Sequence, residues 1–219
     1  MSSGNIQDLL GLNPLSQALS DYIAFLTTKA SLNQPTPPEV KSYPDTVYLN
    51  FFAIGLSLQF TPKDGYKPTS GLKQSDLKNE KLALDSIYIY NVPAKKSDVQ
   101  SKGTSSRAAE LAFSNFPVSP LLLNINPEIK DKDGKTIARP PKLDVHPDSS
   151  GKDFVQTLGE PDRKGGGAGP SSGSIGIWCE WSKDGIMVEF GGDEAKGPQA
   201  WERGKDAVWK IITVFAFHD

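Results

Sequence analysis

Glu180 and Glu189 are the residues of this chain best suited by type and spacing to acid–base chemistry. They flank the turn signal Asp184-Gly185. A two-residue hairpin loop there sets them opposite each other, on the side turned away from the core. Like charges directly opposite destabilise a strand pair. A basic partner, a cation or a raised carboxyl pKa would each compensate; the simpler account is two long side chains splayed into water. Joined by His146 or Lys164, the pair would suit a small hydrolase or nuclease. Standing alone, it suits recognition of Lys or Arg on a partner.

Other chemistry has less support. The chain has one cysteine and two histidines, Cys179, His146 and His218, too few for a four-ligand zinc site. No spacing recruits carboxylates to complete one, so no metal and no catalytic residue is assigned. Cys179 alternates with Trp181 on an apolar strand face and reads as a small buried hydrophobe. The run Gly165-Gly-Gly-Ala-Gly-Pro-Ser-Ser-Gly-Ser174 follows a helix and enters a strand. A phosphate cradle needs the opposite order, so no cofactor is expected and the run reads as a surface loop.

The elements that must position these residues come in two sets. Tyr48-Leu-Asn-Phe-Phe-Ala-Ile-Gly-Leu-Ser-Leu-Gln-Phe60 aligns with Trp178-Cys-Glu-Trp-Ser-Lys-Asp-Gly-Ile-Met-Val-Glu-Phe190, Gly55 meeting Gly185 and Phe60 meeting Phe190. Upstream, Asp21-Tyr-Ile-Ala-Phe-Leu26 aligns with Asp153-Phe-Val-Gln-Thr-Leu158, and downstream Ser86–Asn91 has a counterpart in Val208–Phe217. Three matched elements in one order predict a tandem repeat. Each copy reads as helix, loop, hairpin, loop, strand. The fold class is therefore α+β, two degenerate helix–loop–antiparallel-sheet repeats with the option of one continuous sheet.

Residues 1–93 form the first repeat and 142–219 the second. Between them, 94–141 reads as a linker-like connection with a helical candidate at 108–113, a strand candidate at 120–126 and an exposed turn at 131–135. The first helix is predicted over Leu15–Thr28, burying Leu19, Tyr22, Ile23 and Leu26. The second is predicted from a cap at Ser149 or Ser150 to Gly159.

Strand alternation then sorts the faces. Leu49, Phe51, Leu56, Leu58 and Phe60 share the core side, as do Cys179, Trp181, Ile186, Val188 and Phe190. The opposite side carries Tyr48, Phe52, Tyr88 and Tyr90 in one copy and Trp178, Glu180, Met187 and Glu189 in the other. Aromatic clusters on one sheet face mark protein interfaces or sugar-stacking surfaces; burial beneath the middle segment is the competing account. The candidate binding set is Trp178, Glu180, Glu189, Met187, Tyr48, Phe52 and Lys164.

Tandem helix-and-sheet modules with an aromatic sheet face resemble the β-lactamase-inhibitor-protein-like fold and related lipoprotein-type repeats. The segment Asp153-Phe-Val-Gln-Thr-Leu-Gly-Glu-Pro161 looks like the helix, Leu-Gly-x-Pro, strand opening of such modules and of some small immunity-like proteins. The resemblance implies a concave sheet that grips a protein, an inhibitor-like role. The runs Tyr-Pro-Asp-x-Val-Tyr-Leu-Asn and Gly-Glu-Pro-Asp-Arg-Lys-Gly-Gly-Gly also resemble fungal proteins of uncharacterised activity. This chain differs from secreted inhibitors in lacking paired cysteines, and Met1-Ser-Ser-Gly-Asn-Ile-Gln-Asp8 shows neither a basic start nor an apolar core of a signal peptide. A cytoplasmic location is expected, with no membrane span.

The balance of 24 Lys+Arg against 26 Asp+Glu lacks the basic footprint of a nucleic-acid binder, and the glutamates would repel phosphates. The function expected is therefore non-enzymatic recognition of a protein partner. A carbohydrate stacked on Trp178, or hydrolysis through Glu180 and Glu189, stands as the alternative.

Overall fold

Ser16 begins the first regular element: its hydroxyl accepts the Leu19 N–H at 3.3 Å, and helix α1 runs Gln17–Lys29. The computed structural model describes residues 4–92, 111–130, 134–167 and 176–217. Leu19, Tyr22 and Leu26 are buried along one side of α1, as the apolar spacing predicts, and Ile23 is half-buried. Burial lifts the Tyr22 hydroxyl pKa above the ordinary phenol range. Four antiparallel strands follow: β1 Glu39–Tyr43, β2 Thr46–Phe51, β3 Leu56–Pro62 and β4 Leu82–Tyr90.

Val47, Leu49 and Phe51 of β2 and Leu56, Leu58 and Phe60 of β3 are buried. In β4 the buried set changes parity, from Leu82 and Leu84 to Ile87 and Ile89. The register shows why: Gln59 pairs with Ser86 but Phe60 with Leu84, leaving Asp85 as the extra residue of a bulge. One inserted residue returns the next pair of side chains to the same face.

The second set of elements begins with β5 Leu121–Asn124, paired with β8 Lys142–Val145, and the small hairpin β6 Glu128–Lys130 with β7 Thr136–Ala138. Helix α2, Gly151–Leu158, opens on Ser150. The Asp153 carboxylate accepts the Ser150 N–H at 2.7 Å and its hydroxyl at 2.9 Å, the carboxylate half of a capping box and the cause of its lowered pKa. The helix closes at Gly159, whose φ of 82° and ψ of −166° suit glycine alone. Strands β9 Arg163–Gly165, β10 Trp178–Trp181, β11 Ile186–Phe190 and β12 Trp209–Phe215 complete the sequence, with the short helix α3 Ala200–Arg203 before β12.

The fold is α+β with a large antiparallel sheet of eight strands, in the order β1-β2-β3-β4-β12-β11-β10-β9. The chain divides into two compact units, Met1–Val118 with Thr213–Ala216, and Ser119–Ile212 with Phe217–Asp219. Of the region read as a connection, the strand candidate at 120–126 is β5. Residues 94–107, the start of the 108–113 candidate and 131–133 lie outside the described residues, as do 168–175 of the Gly-rich run and His218.

Five strands escape the sequence reading: β1, β6, β7, β8 and β9. Edge strand β1 buries only Ser42, and β9 is three residues long and largely exposed. Neither β1 nor β9 alternates buried apolar with exposed residues, and β6, β7 and β8 are only three or four residues long.

Candidate functional site

Both central hairpins turn through four residues rather than two. Phe52–Ile54 and Ser182–Asp184 each form one 3-10 turn. Each ends in a left-handed glycine, Gly55 at φ 60°, ψ 38° and Gly185 at φ 63°, ψ 38°. The register therefore slips by two from the sequence expectation. Such a slip keeps every side chain on its face but changes its partner. Trp178 pairs with Glu189 and Glu180 with Met187, so the expected Glu180–Glu189 opposition is corrected: the two carboxylates are not a cross-strand pair.

Each glutamate instead has its own donor. Glu180 accepts the Ser182 hydroxyl at 2.6 Å and lies 3.3 Å from the Arg163 guanidinium on β9. Glu189 lies 3.3 Å from the Lys210 ammonium on β12. The compensation that like charges would demand is supplied within the sheet, by cations from neighbouring strands. Trp178 lies over Gly165, its cross-strand partner; a Cβ at Gly165 would stand 2.7 Å from the indole ring. The outer face of this hairpin is thus an indole seated on a glycine beside two salt-bridged carboxylates and Met187.

In the first unit the outer face carries three tyrosines. Tyr48 stands 6.5 Å from Tyr43 and 6.4 Å from Tyr88, ring centre to ring centre. The Tyr88 hydroxyl donates to Gln59 Oε1 at 2.6 Å. Smaller polar groups between them are buried: Ser57 donates to Asn50 Oδ1 at 2.7 Å. Phe52 and Tyr90 are covered instead. Phe113 stacks on Tyr90 at 3.7 Å and packs 4.6 Å from Phe52, while Ser114 N–H and Phe116 N–H donate to the carbonyls of Phe52 and Tyr90. Among the described residues the middle segment therefore packs on Phe52 and Tyr90 and not on Tyr48 and Tyr88, although all four rings are half-buried.

Lys164 lies on the other side of the second hairpin. It pairs with Cys179, and its ammonium stands 5.5 Å from the centre of the Trp201 ring. Cys179 is buried, and burial pushes its thiol pKa up to about 11, with the Lys164 charge opposing. Lys164, Cys179 and Trp201 line a cavity of about 290 Å³ between α2, α3 and β10. His146 is exposed at the end of β8, where its carbonyl accepts the Trp209 indole N–H at 2.8 Å. Among the described residues no group of three or more His, Cys, Asp and Glu is gathered to hold a metal, and no helix is long and apolar enough to cross a membrane.

Sequence reasoning missed Arg139, Trp201 and the buried role of Asp184. Arg139 pairs with Asp184 and donates to the carbonyls of Leu158 at 2.8 Å and Asn126 at 2.6 Å. These bonds tie the α2 C-terminus to the hairpin turn. The Leu-Gly-x-Pro motif is explained next to them: Leu158 is buried, and the Gly159 carbonyl accepts the Trp181 indole N–H at 2.9 Å. Comparison of the chain with protein-family models, curated proteins and solved structures finds no match.

Proposed function

We propose that this chain is a non-enzymatic, cytoplasmic binding protein that recognises a protein partner through the outer face of its sheet. The observation that carries the reading is the Tyr43, Tyr48 and Tyr88 cluster, edged by Gln59 and by Lys41, whose ammonium is 3.1 Å from Glu39. Tyrosine combines a large apolar ring with a polar tip and little rotamer freedom, which is why it concentrates at interfaces. Glu180 and Glu189 are not a cross-strand pair, and each lies beside its own cation, which supports recognition over a convergent acid–base site. That cation also relieves the partner of supplying Lys or Arg.

The same reading includes a tandem duplication. One helix followed by a four-stranded antiparallel meander occurs twice in the element order, and both central hairpins close through the same 3-10 turn and left-handed glycine. This regularity supports the likeness to β-lactamase-inhibitor-protein-like modules, and with it an inhibitor-like role.

A photo-crosslinking residue in place of Tyr43, irradiated in native extract, should yield a discrete protein adduct. The adduct should be lost when Tyr48→Ala/Tyr88→Ala is added, with circular dichroism unchanged. An adduct indifferent to that double substitution, or one equally strong from position 155, would sink the proposal. Phosphodiester, ester or glycoside hydrolysis abolished by Glu180→Gln would replace it with the enzyme reading.

A further inference from the structure

The cavity beside α2 belongs to neither the outer face nor the hairpin turn, and it is built differently from both. Its floor is apolar and buried: Ile177, Cys179 and Phe190. At its mouth, Val155 and Trp201 are exposed large hydrophobes. Three lysines, Lys152, Lys164 and Lys205, stand around it against one acid, Glu160. All four charged residues are exposed. The chain as a whole has a net charge of −2, so this positive rim is a local departure.

A hole of about 290 Å³ falls near the lower end of the ~300–1,000 Å³ typical of small-molecule sites. At its inner end two backbones meet: a Cβ on Gly151 would stand 2.3 Å from the Gly204 carbonyl oxygen, while one on Gly204 would meet the Ile177 side chain. A glycine at 151 is what allows the start of α2 and the turn after α3 to approach this closely. The Trp201 ring is held at the mouth beneath the Lys164 ammonium.

We infer that this cavity binds a small organic anion, its apolar body on Phe190, Cys179 and Trp201 and its charged group among Lys152, Lys164 and Lys205. Burial of the body removes Val155 and Trp201 from water. The lysines select against neutral and cationic molecules of the same shape.

The probe is 1-anilinonaphthalene-8-sulfonate, compared with its uncharged relative N-phenyl-1-naphthylamine. The sulfonate should bind saturably at one site and about tenfold or more tighter than the neutral compound, the rim charge supplying the difference. Lys152→Glu/Lys205→Glu should remove that preference while leaving the neutral probe unaffected. Val155→Trp, made at an exposed helix position, should block both probes. Tyr48→Ala/Tyr88→Ala should change neither. A cooperative thermal transition in every variant separates the site from binding to loosened protein. No saturable binding, no preference for the anion, or loss of binding in the tyrosine variant would each overturn the inference.

Discussion

The Arg139 guanidinium and the Asp184 carboxylate form an ion pair in which the side chains are 5% and 2% exposed. The pair is joined by the backbone of Asn126, whose N–H donates to Asp184 at 2.9 Å and whose carbonyl accepts from Arg139 Nε at 2.6 Å. Removing one member of such a pair leaves a buried charge without its partner. Arg139→Ala and Asp184→Ala should each cost about 3–5 kcal/mol, read by urea denaturation. The double variant should cost clearly less than the sum of the two. Additive losses would mean the two side chains act separately.

Trp181 and Trp178 lie on opposite faces of β10, and their replacement should separate the faces. Trp181 is 2% exposed and donates to Gly159, so Trp181→Ala should destabilise by about 3–5 kcal/mol. Phe51→Ala should fall in the same range. Trp178→Ala should cost much less, because its indole is half-buried over Gly165. Equal midpoints for the two tryptophan variants would contradict the assignment of faces.

Gly55 and Gly71 both have positive φ, at 60° and 78°, but differ in surroundings. A Cβ at Gly71 meets nothing within 4 Å, whereas one at Gly55 stands 2.4 Å from the Ser114 carbonyl oxygen. Gly71→Ala should cost only the backbone penalty of about 1–2 kcal/mol. Gly55→Ala should cost more, because it also displaces the segment that carries Phe113. Limited proteolysis should then cut that segment faster.

The Cys179 thiol should be slow to react. With its pKa pushed from 9.0 to about 11, little thiolate exists at neutral pH, and the thiolate is the nucleophile. Native labelling by an aromatic disulfide at pH 8 should be slower than labelling in urea by about a hundredfold. The rate should rise as pH approaches 11. The unfolded chain releases this proton first, so its stabilising contribution is present below pH 9.0 and is lost as pH rises to about 11. Equal rates in folded and unfolded protein would show the thiol to be accessible.

Alternation alone makes the buried strand faces legible. Leu49, Leu58, Cys179 and Val188 keep their face whether the turn has two residues or four, because the side-chain period is two. Their partners are not legible in the same way. Asp184-Gly185 signals a two-residue turn, yet the same glycine closes a four-residue one, and that choice moves Glu180 from Glu189 to Met187. The α2 boundaries are readable because Ser150, Asp153 and Gly159 act within the helix they cap. Arg139 is not, since its carboxylate lies 45 residues away and an aspartate before a turn glycine already has a local explanation. The cavity is equally hidden: Lys164 and Trp201 meet only through tertiary packing.

Thr213–Ala216 group with the first unit, although the rest of that unit ends at Val118. On the ribosome these four residues emerge only after the whole intervening stretch has been made. At roughly 5–20 residues per second, that is a delay of several seconds or more. Throughout that interval the first unit lacks part of its final strand complement, so a nascent chain halted before residue 213 should be more protease-sensitive across β4 than the released protein. The half made first is therefore completed only near the end of synthesis, after almost all of the second unit has been made.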